Sequence, residues 1–208
     1  MLAPKTRLLI VDADALVCRK LSIIFSALGY ATRSAPSGFL ALNAIRDEIP
    51  DILLSDLYMP GMSGFEFLSV VRRRFPAIRV IAMSGKFEDT TVPTGVAADA
   101  FYQKGYHRLR LLLGAVEAMT RPQKSQAVRF PLRSDAPIWI PTNGHDPSGE
   151  PYVMISCPEC LRTFPQVLDK NAASTRNTKC AHCSNPIQYA IIHSSTLCGP
   201  PLSCNATI

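Results

Sequence analysis

Short apolar runs that end at acidic or hydroxyl residues constrain the fold of this chain more than any other feature. The runs, each written with the polar residue that follows it, are Leu8-Leu9-Ile10-Val11 before Asp12, Ile52-Leu53-Leu54 before Ser55-Asp56, and Val80-Ile81-Ala82-Met83 before Ser84. Runs that are apolar on both faces are typical of the central strands of a parallel sheet covered by helices on each side. The sequence therefore predicts buried strands that end in polar side chains.

Apolar residues at helical spacing fill the stretches between these runs, and Gly29 marks a stop after the first of them. The segment from Thr90 to Ala98 is different, because Pro93 and Gly95 leave little room for a regular helix there. The alternation predicts an α/β fold built on a doubly wound parallel sheet. The predicted helices lie around Leu16 to Leu28, Phe39 to Ile45, Phe65 to Phe75 and Leu109 to Val116.

Polar groups at the carboxyl ends of parallel strands meet in one crevice, where ligands usually bind. The groups placed there by the pattern are Asp12, Asp14, Asp56, Ser84 and, after the short strand Ala100 to Gln103, Lys104. Neighbouring carboxylates repel one another unless a cation lies between them, and hard oxygen ligands favour Mg²⁺. Carboxylates, a metal, a hydroxyl and an ammonium group together predict a phosphoryl-transfer site.

Residues 6 to about 120 resemble the receiver (CheY-like) domain of two-component response regulators. The resemblance lies in the acidic residue after the first strand, in Asp56 followed by Met59-Pro60-Gly61-Met62-Ser63-Gly64, in Ser84-Gly85 and in Lys104. It implies a flavodoxin-like fold with five parallel strands in a domain spanning residues 1–122. It also implies that Asp56 accepts a phosphoryl group from a histidine kinase or phosphotransfer protein. Catalysis would be limited to self-catalysed phosphorylation and dephosphorylation, so we do not expect an enzyme.

The resemblance also implies roles for the neighbours of Asp56. Ser84 would hydrogen-bond a phosphoryl oxygen and Lys104 would pair with its charge. Tyr58 would offer its backbone carbonyl to Mg²⁺, and Phe101 matches an aromatic position whose rotamer responds to phosphorylation. Asp12, with Asp14, would complete the Mg²⁺ site.

Three departures from the family pattern leave an alternative open. Ala13 stands where the acid that binds the metal directly is expected, so Asp14 would have to turn inward. Gly105 follows Lys104 where the family has a cis proline, and a cis bond before another residue costs about 2.5 to 4 kcal/mol. The broken segment around Pro93 lies at the expected output face. The alternative is a pseudo-receiver that binds partners without being phosphorylated.

Periodicity stops after Arg121-Pro122, and residues 123–150 contain four prolines and two glycines, which predicts a linker. Within it, Ile138-Trp139-Ile140 is a β-prone patch that we interpret as a packing contact, with a partner-binding motif as the alternative. Residues 151–193 then carry two Cys-x-x-Cys pairs separated by 19 residues, Cys157/Cys160 and Cys180/Cys183. Four thiolates at this spacing predict a structural Zn²⁺ site resembling a zinc ribbon, with redox-active pairs as the weaker alternative and His182 outside the ligand set.

The charge distribution does not favour nucleic acid. The formal net charge is +6 for the chain but only +2 for residues 151–193, which four thiolates bound to Zn²⁺ would cancel. We therefore rank a protein partner, bound through the receiver face or the ribbon, above DNA binding by a transcriptional regulator. No run is long enough for a membrane span, and without a signal-like segment the expected location is the cytoplasm. Residues 194–208, with Cys198 and Cys204, are predicted to be a disordered tail.

Overall fold

The computed structural model describes residues 5–86, 92, 96–105, 109–121, 138–141, 144–145, 149–168 and 175–192. The described residues from 5 to 121 form the N-terminal domain, and those from 138 to 192 form the C-terminal module. The disordered tail predicted at 194–208 and most of the segment around Pro93 lie outside the described residues. No helix in the described ranges is long and apolar enough to cross a membrane.

The N-terminal domain alternates strands and helices around a parallel sheet of five strands in the order β2-β1-β3-β4-β5. This confirms the predicted flavodoxin-like topology. Ser37 begins the second helix by accepting a hydrogen bond from the Leu40 N–H, and Gly29, at a φ of +93°, follows the first. In chain order the elements are β1 (Arg7–Val11), α1 (Ala15–Ala27), β2 (Ala31–Ala35), α2 (Gly38–Asp47), β3 (Ile52–Asp56), α3 (Gly64–Arg74), β4 (Arg79–Ser84), β5 (Ala100–Gln103) and α4 (Leu109–Thr120).

Each face of the sheet carries its own apolar layer, because strands β1, β3 and β4 point alternate side chains in opposite directions. Leu8, Ile10 and Leu54 pack with α1 and α4, where Phe25 is fully buried. Leu53 and its neighbours pack on the opposite face with α2 and α3. Both layers exclude water beneath the strand ends, so polar groups at those ends are held in fixed positions.

The C-terminal module consists of two three-stranded sheets, in the orders β10-β11-β6 and β7-β8-β9. Two of its strands lie in residues 138–145, within the stretch that the sequence predicts to be a linker, and β6 pairs in parallel with β11. The Ile138-Trp139-Ile140 patch is therefore part of a sheet. The strands are β6 (Ile138–Pro141), β7 (Gly144–His145), β8 (Pro151–Ser156), β9 (Thr163–Val167), β10 (Thr175–Lys179) and β11 (Pro186–Ile192).

The module is docked on α3 of the N-terminal domain. Ile138 and Ile140 of β6 are buried in the same apolar cluster as Phe67, Val70 and Val71 of α3. That cluster runs without interruption from the sheet of the N-terminal domain into the module. The two parts of the chain thus share a continuous core.

Candidate functional site

Asp12, Asp56 and Lys104 converge at the carboxyl ends of β1, β3 and β5. The Lys104 Nζ lies 2.7 Å from Asp12 Oδ2 and 2.9 Å from Asp56 Oδ1. Asp12 is 1% exposed and Asp56 is 7% exposed, so both carboxylates lie beneath the surface with a small opening above Asp56. Parallel strand topology brings together groups that are distant in sequence, as predicted.

The electrostatics of the cluster follow from this burial. Burial raises the pKa of Asp56 above its ordinary value, and the hydrogen bond and charge of Lys104 oppose that rise without cancelling it. Burial acts to lower the pKa of Lys104, but Asp12 and Asp56 together raise it above its ordinary value. Lys104 therefore stays protonated between the two carboxylates.

Ser84 and Tyr58 flank Asp56. Ser84 ends β4 in register with Gln103, is fully buried, and its Oγ accepts a hydrogen bond from the Lys86 N–H at 3.1 Å. The Tyr58 ring packs edge-on against Phe65 at 6.3 Å, and the Lys86 ammonium lies 4.2 Å from the centre of the Tyr58 ring. Lys86 was not among the residues predicted from sequence, because a lysine in a loop carries no signal of its own.

The predicted Asp14 and Phe101 occupy positions that define their available roles. Asp14 begins α1, and its Oδ1 accepts a hydrogen bond from the Leu16 N–H at 2.8 Å, so the carboxylate faces the helix and solvent. Binding a metal beside Asp12 would require Asp14 to leave this cap. Phe101 lies on β5, half-buried against the apolar layer on the α3 side of the sheet. Its proposed switching role stays a prediction.

The loop after β5 holds Lys104 in the site without a cis bond. The described residues contain no cis peptide, so the Lys104–Gly105 bond is trans. The Lys104 N–H donates to the Ser84 carbonyl at 2.8 Å, which ties the end of β5 to the end of β4. The glycine therefore still allows Lys104 to contact both carboxylates.

The donor set fits a hard divalent cation. Asp12 Oδ2 is buried, and the Lys104 ammonium lies 2.7 Å from it. Asp56 supplies a second carboxylate beside it, so two anionic oxygens face the position of one cation. Ala13 adds no ligand, which leaves fewer protein ligands than the resemblance implies.

A second cluster brings together the four predicted cysteines. Their sulfur atoms all lie within 4.8 Å of one another, and both Cys157–Cys183 and Cys160–Cys180 are 3.7 Å apart. A tetrahedral Zn²⁺ with bonds of about 2.3 Å to sulfur separates its ligands by about 3.8 Å, so the cluster could hold this metal. Each Cys-x-x-Cys loop is closed by a residue with positive φ, Leu161 in the first and Ser184 in the second.

The hydrogen bonds around the sulfurs match this arrangement. The His182 N–H donates to Cys180 Sγ at 3.3 Å, while the His182 ring nitrogen Nε2 lies 3.2 Å from the Thr163 carbonyl, away from the sulfurs. Burial raises the pKa of Cys157 to about 12. Burial also acts to raise the pKa of Cys180, but backbone N–H groups of His182 and Cys183 lower it to about 6.

Among the described residues, one buried carboxyl group lies outside these clusters, and sequence analysis missed it. Glu66, in the first turn of α3, is 2% exposed, and its Oε1 accepts a hydrogen bond from the Ser156 N–H at 3.1 Å. Burial raises the pKa of Glu66 to about 8, so the group is mostly neutral at pH 7. The partner is 90 residues away in sequence, and no local pattern indicates it.

The strands that carry this cluster lie in a stretch that matches a known family. Residues 8–111, half of the chain, match the family model for the response regulator receiver domain. The chain belongs to this family. We therefore refer to the N-terminal domain as the receiver domain.

Relatives of the receiver domain include transcriptional regulators. The DNA-binding response regulator MtrA of Mycolicibacterium paratuberculosis is 28% identical over 148 residues, which cover 70% of this chain and 65% of MtrA. The match thus spans less than two thirds of that relative's length.

Solved structures support the fold. The response regulator TrrA of Thermotoga maritima, crystallised with Mg²⁺-BeF, superposes with a TM-score of 0.51 at 23% identity, covering 55% of this chain and 98% of TrrA. TrrA in complex with the histidine kinase ThkA gives the same TM-score and identity, covering 56% of this chain and 99% of the TrrA chain.

Proposed function

We propose that the protein is a phosphorelay response regulator that accepts a phosphoryl group on Asp56 from a histidine kinase or phosphotransfer protein. The observation that carries the proposal is the contact of Lys104 Nζ with both Asp12 and Asp56, at 2.7 and 2.9 Å. A carboxylate that is slightly exposed, with a fixed cation beside it, fits the acceptor of an anionic group. TrrA, a relative in fold, was crystallised with a histidine kinase, which supports this class of partner.

The proposed reaction transfers a phosphoryl group from a phosphohistidine nitrogen to an Asp56 oxygen. The P–N bond breaks, a P–O bond forms, and the electron pair returns to the imidazole, which takes a proton from solvent. Asp12, Asp56 and the Tyr58 carbonyl would hold Mg²⁺, which neutralises charge on the transferring group. Lys104 would turn from Asp56 to a phosphoryl oxygen, and the Ser84 hydroxyl would donate to another.

The test is intact-mass analysis of the full chain after incubation with Mg²⁺ and acetyl phosphate. We expect one phosphoryl adduct that hydroxylamine removes, and no adduct on Asp56→Asn. Asp51→Asn is the matched control, because Asp51 pairs with Arg7 at the start of β3, away from the site. An adduct on Asp56→Asn, or none on the wild type with acetyl phosphate and a range of histidine-kinase donors, would refute phosphorylation at Asp56.

A wild type that forms no adduct would correspond to the pseudo-receiver alternative, in which the domain binds partners without phosphorylation. The replacement of an acid by Ala13 favours it, since fewer carboxylates are left to hold Mg²⁺. Asp56→Asn would then signal like the wild type. The name of MtrA supports a third candidate, a DNA-binding regulator, which predicts a salt-dependent shift of duplex DNA.

We also propose that the four cysteines bind one structural Zn²⁺ in a zinc-ribbon-like module. The 3.7 Å sulfur separations support a closed tetrahedral site with no position left for catalysis. We expect one zinc ion per purified chain, lost in Cys160→Ser and retained in Cys18→Ala, whose thiol lies buried in α1. A metal-free chain with disulfides in both pairs would instead indicate redox chemistry.

A further inference from the structure

The first two turns of helix α3 are buried on almost all sides, which is unusual for an outer helix of a sheet domain. Phe65, Phe67, Leu68, Val70 and Val71 are all at most 5% exposed. A helix in an outer layer normally keeps one polar face in water, and a helix that is apolar all round is covered on both sides. The receiver sheet covers one side of α3, and β6 of the C-terminal module covers the other.

The N-terminal end of α3 packs against β3, the strand that carries Asp56. A Cβ at Gly64 would lie 2.1 Å from the Asp56 carbonyl oxygen, so the glycine allows a contact that no other residue could make. The Gly64 N–H donates to the Leu57 carbonyl at 3.0 Å. The start of α3 therefore lies in direct contact with the backbone of Asp56 and Leu57.

The same turn of α3 is hydrogen-bonded to the C-terminal module. Ser63 caps the helix, and its Oγ accepts from the Glu66 N–H at 3.2 Å. In a capping box the glutamate would return to the backbone of the cap. Here Glu66 instead accepts the N–H of Ser156, the residue that directly precedes the first cysteine ligand, Cys157.

The far end of α3 also reaches the first Cys-x-x-Cys loop. Arg74 Nη1 lies 3.8 Å from Glu159 Oε2, and Glu159 lies between Cys157 and Cys160. This pair is half exposed and contributes little energy on its own. Together with Glu66 it shows that both ends of α3 contact residues adjacent to the cysteines.

We infer that α3 couples the two sites, so that metal binding at the four cysteines and phosphorylation of Asp56 strengthen each other. The physical basis is conformational entropy. Metal binding orders the loop of Cys157 and Cys160, which holds Glu66 and α3 in place. An ordered α3 in turn fixes the backbone around Asp56 before the phosphoryl group and Mg²⁺ bind. Coupling of this kind is reciprocal and typically changes affinities by 5- to 150-fold. The phosphorylation half of the inference rests on the proposed function.

The first test is hydrogen exchange on the full chain, loaded with Zn²⁺ and then treated with a chelator that takes Zn²⁺ and leaves Mg²⁺. It does not depend on phosphorylation. We expect zinc removal to accelerate amide exchange in Gly64–Arg74 by at least about fivefold, in addition to the module itself. Acceleration confined to the C-terminal module, residues 138–192, would overturn the inference.

The second test measures zinc affinity with and without Mg²⁺-beryllofluoride as a phosphoryl mimic. We expect the mimic to tighten zinc binding by at least about fivefold. Equal zinc affinities with the mimic bound would overturn the inference. Failure of the mimic to bind at all would instead count against the proposed function, and the exchange test would still decide the coupling.

Variants of Glu66 identify the connection. Glu66→Ala should bring the ratio of zinc affinities with and without the mimic close to one. Glu66→Gln, which keeps an acceptor for the Ser156 N–H, should retain the wild-type ratio. Glu117→Ala is the control, because Glu117 is an exposed glutamate on α4, the helix on the opposite face of the sheet. A ratio unchanged in Glu66→Ala would exclude Glu66 as the connection. Should Glu66→Ala fail to fold, the two wild-type tests still decide.

Discussion

Removal of the Lys104 ammonium is the perturbation that most directly tests the charge balance of the phosphoacceptor site. Lys104→Met keeps much of the side-chain volume and leaves Asp12 and Asp56 facing each other without a cation. Removing one partner of a buried charge pair costs about 3 to 5 kcal/mol. Because a quarter of the Lys104 side chain is exposed to solvent, we expect a loss of about 3 kcal/mol in unfolding free energy at pH 7.

The size of this loss should depend on pH. Without Lys104, burial and the charge of Asp12 raise the pKa of Asp56 further above its value of about 4 in the unfolded chain. The folded variant then holds a proton that the unfolded chain has released, so its stability falls as pH rises above about 4. Relative to the wild type, the deficit should be largest near pH 7 and shrink toward pH 4.

The assay is urea unfolding followed by circular dichroism between pH 4 and pH 7.5, with Lys86→Met as the matched control. Lys86 is exposed, and its ammonium contacts the Tyr58 ring, a contact worth about 0.5 to 1 kcal/mol at an exposed site. A loss in Lys104→Met no larger than in Lys86→Met, or a deficit that does not vary with pH, would refute the reasoning.

Three further predictions concern α3 and its contacts. The pKa of about 8 at Glu66 lies above its ordinary value, so unfolding free energy should fall by up to about 1.4 kcal/mol per unit as pH rises from 5 to 8, and Glu66→Gln should remove that slope in urea titrations. Gly64→Ala should lower the unfolding free energy by several kcal/mol because its Cβ meets the Asp56 carbonyl. Gly114→Ala on α4, with open space at its Cβ, should raise the unfolding free energy by up to about 1 kcal/mol. Equal thermal midpoints for the two variants would contradict this. Ile140→Ala, fully buried on β6, should cost about 2 to 5 kcal/mol in one cooperative transition of both domains, and separate transitions would contradict a shared core.

The central sheet could be predicted because its strands obey a local rule. All residues of β3 are buried, and in β4 only Arg79 is exposed, so each reads as an unbroken apolar run before its polar end. β2 gave no such signal, because it lies at the edge of the sheet and buries only Ala35. The crevice itself followed from parallel topology once the strands were recognised.

The role of Asp14 could not be decided from the sequence. An aspartate between a strand and a helix suits both metal binding and helix capping, and the two uses compete for the same oxygens. The structure has the Asp14 carboxylate at the cap, where the Leu16 N–H is otherwise without a helical partner. Only the three-dimensional direction of the side chain separates the two uses.

The docking of the C-terminal module depended on contacts between residues far apart in sequence. Five of the seven residues Phe65 to Val71 are apolar, which is broader than the stripe of a helix with one buried face and was the available signal. That breadth fits a helix covered on a second side, but it does not identify the covering surface. Ile138-Trp139-Ile140, read as a patch in a linker, is the strand that covers α3.

Formal charges explain how the site can function without an acid at Ala13. Asp12, Asp56 and Lys104 sum to −1, so Mg²⁺ alone would bring the unphosphorylated site to +1. An acyl phosphate at Asp56 carries about −2 in place of the carboxylate's −1, which makes the site with Mg²⁺ neutral. On the proposed function, the missing acid therefore weakens Mg²⁺ binding before phosphorylation and leaves the phosphorylated, metal-bound state balanced.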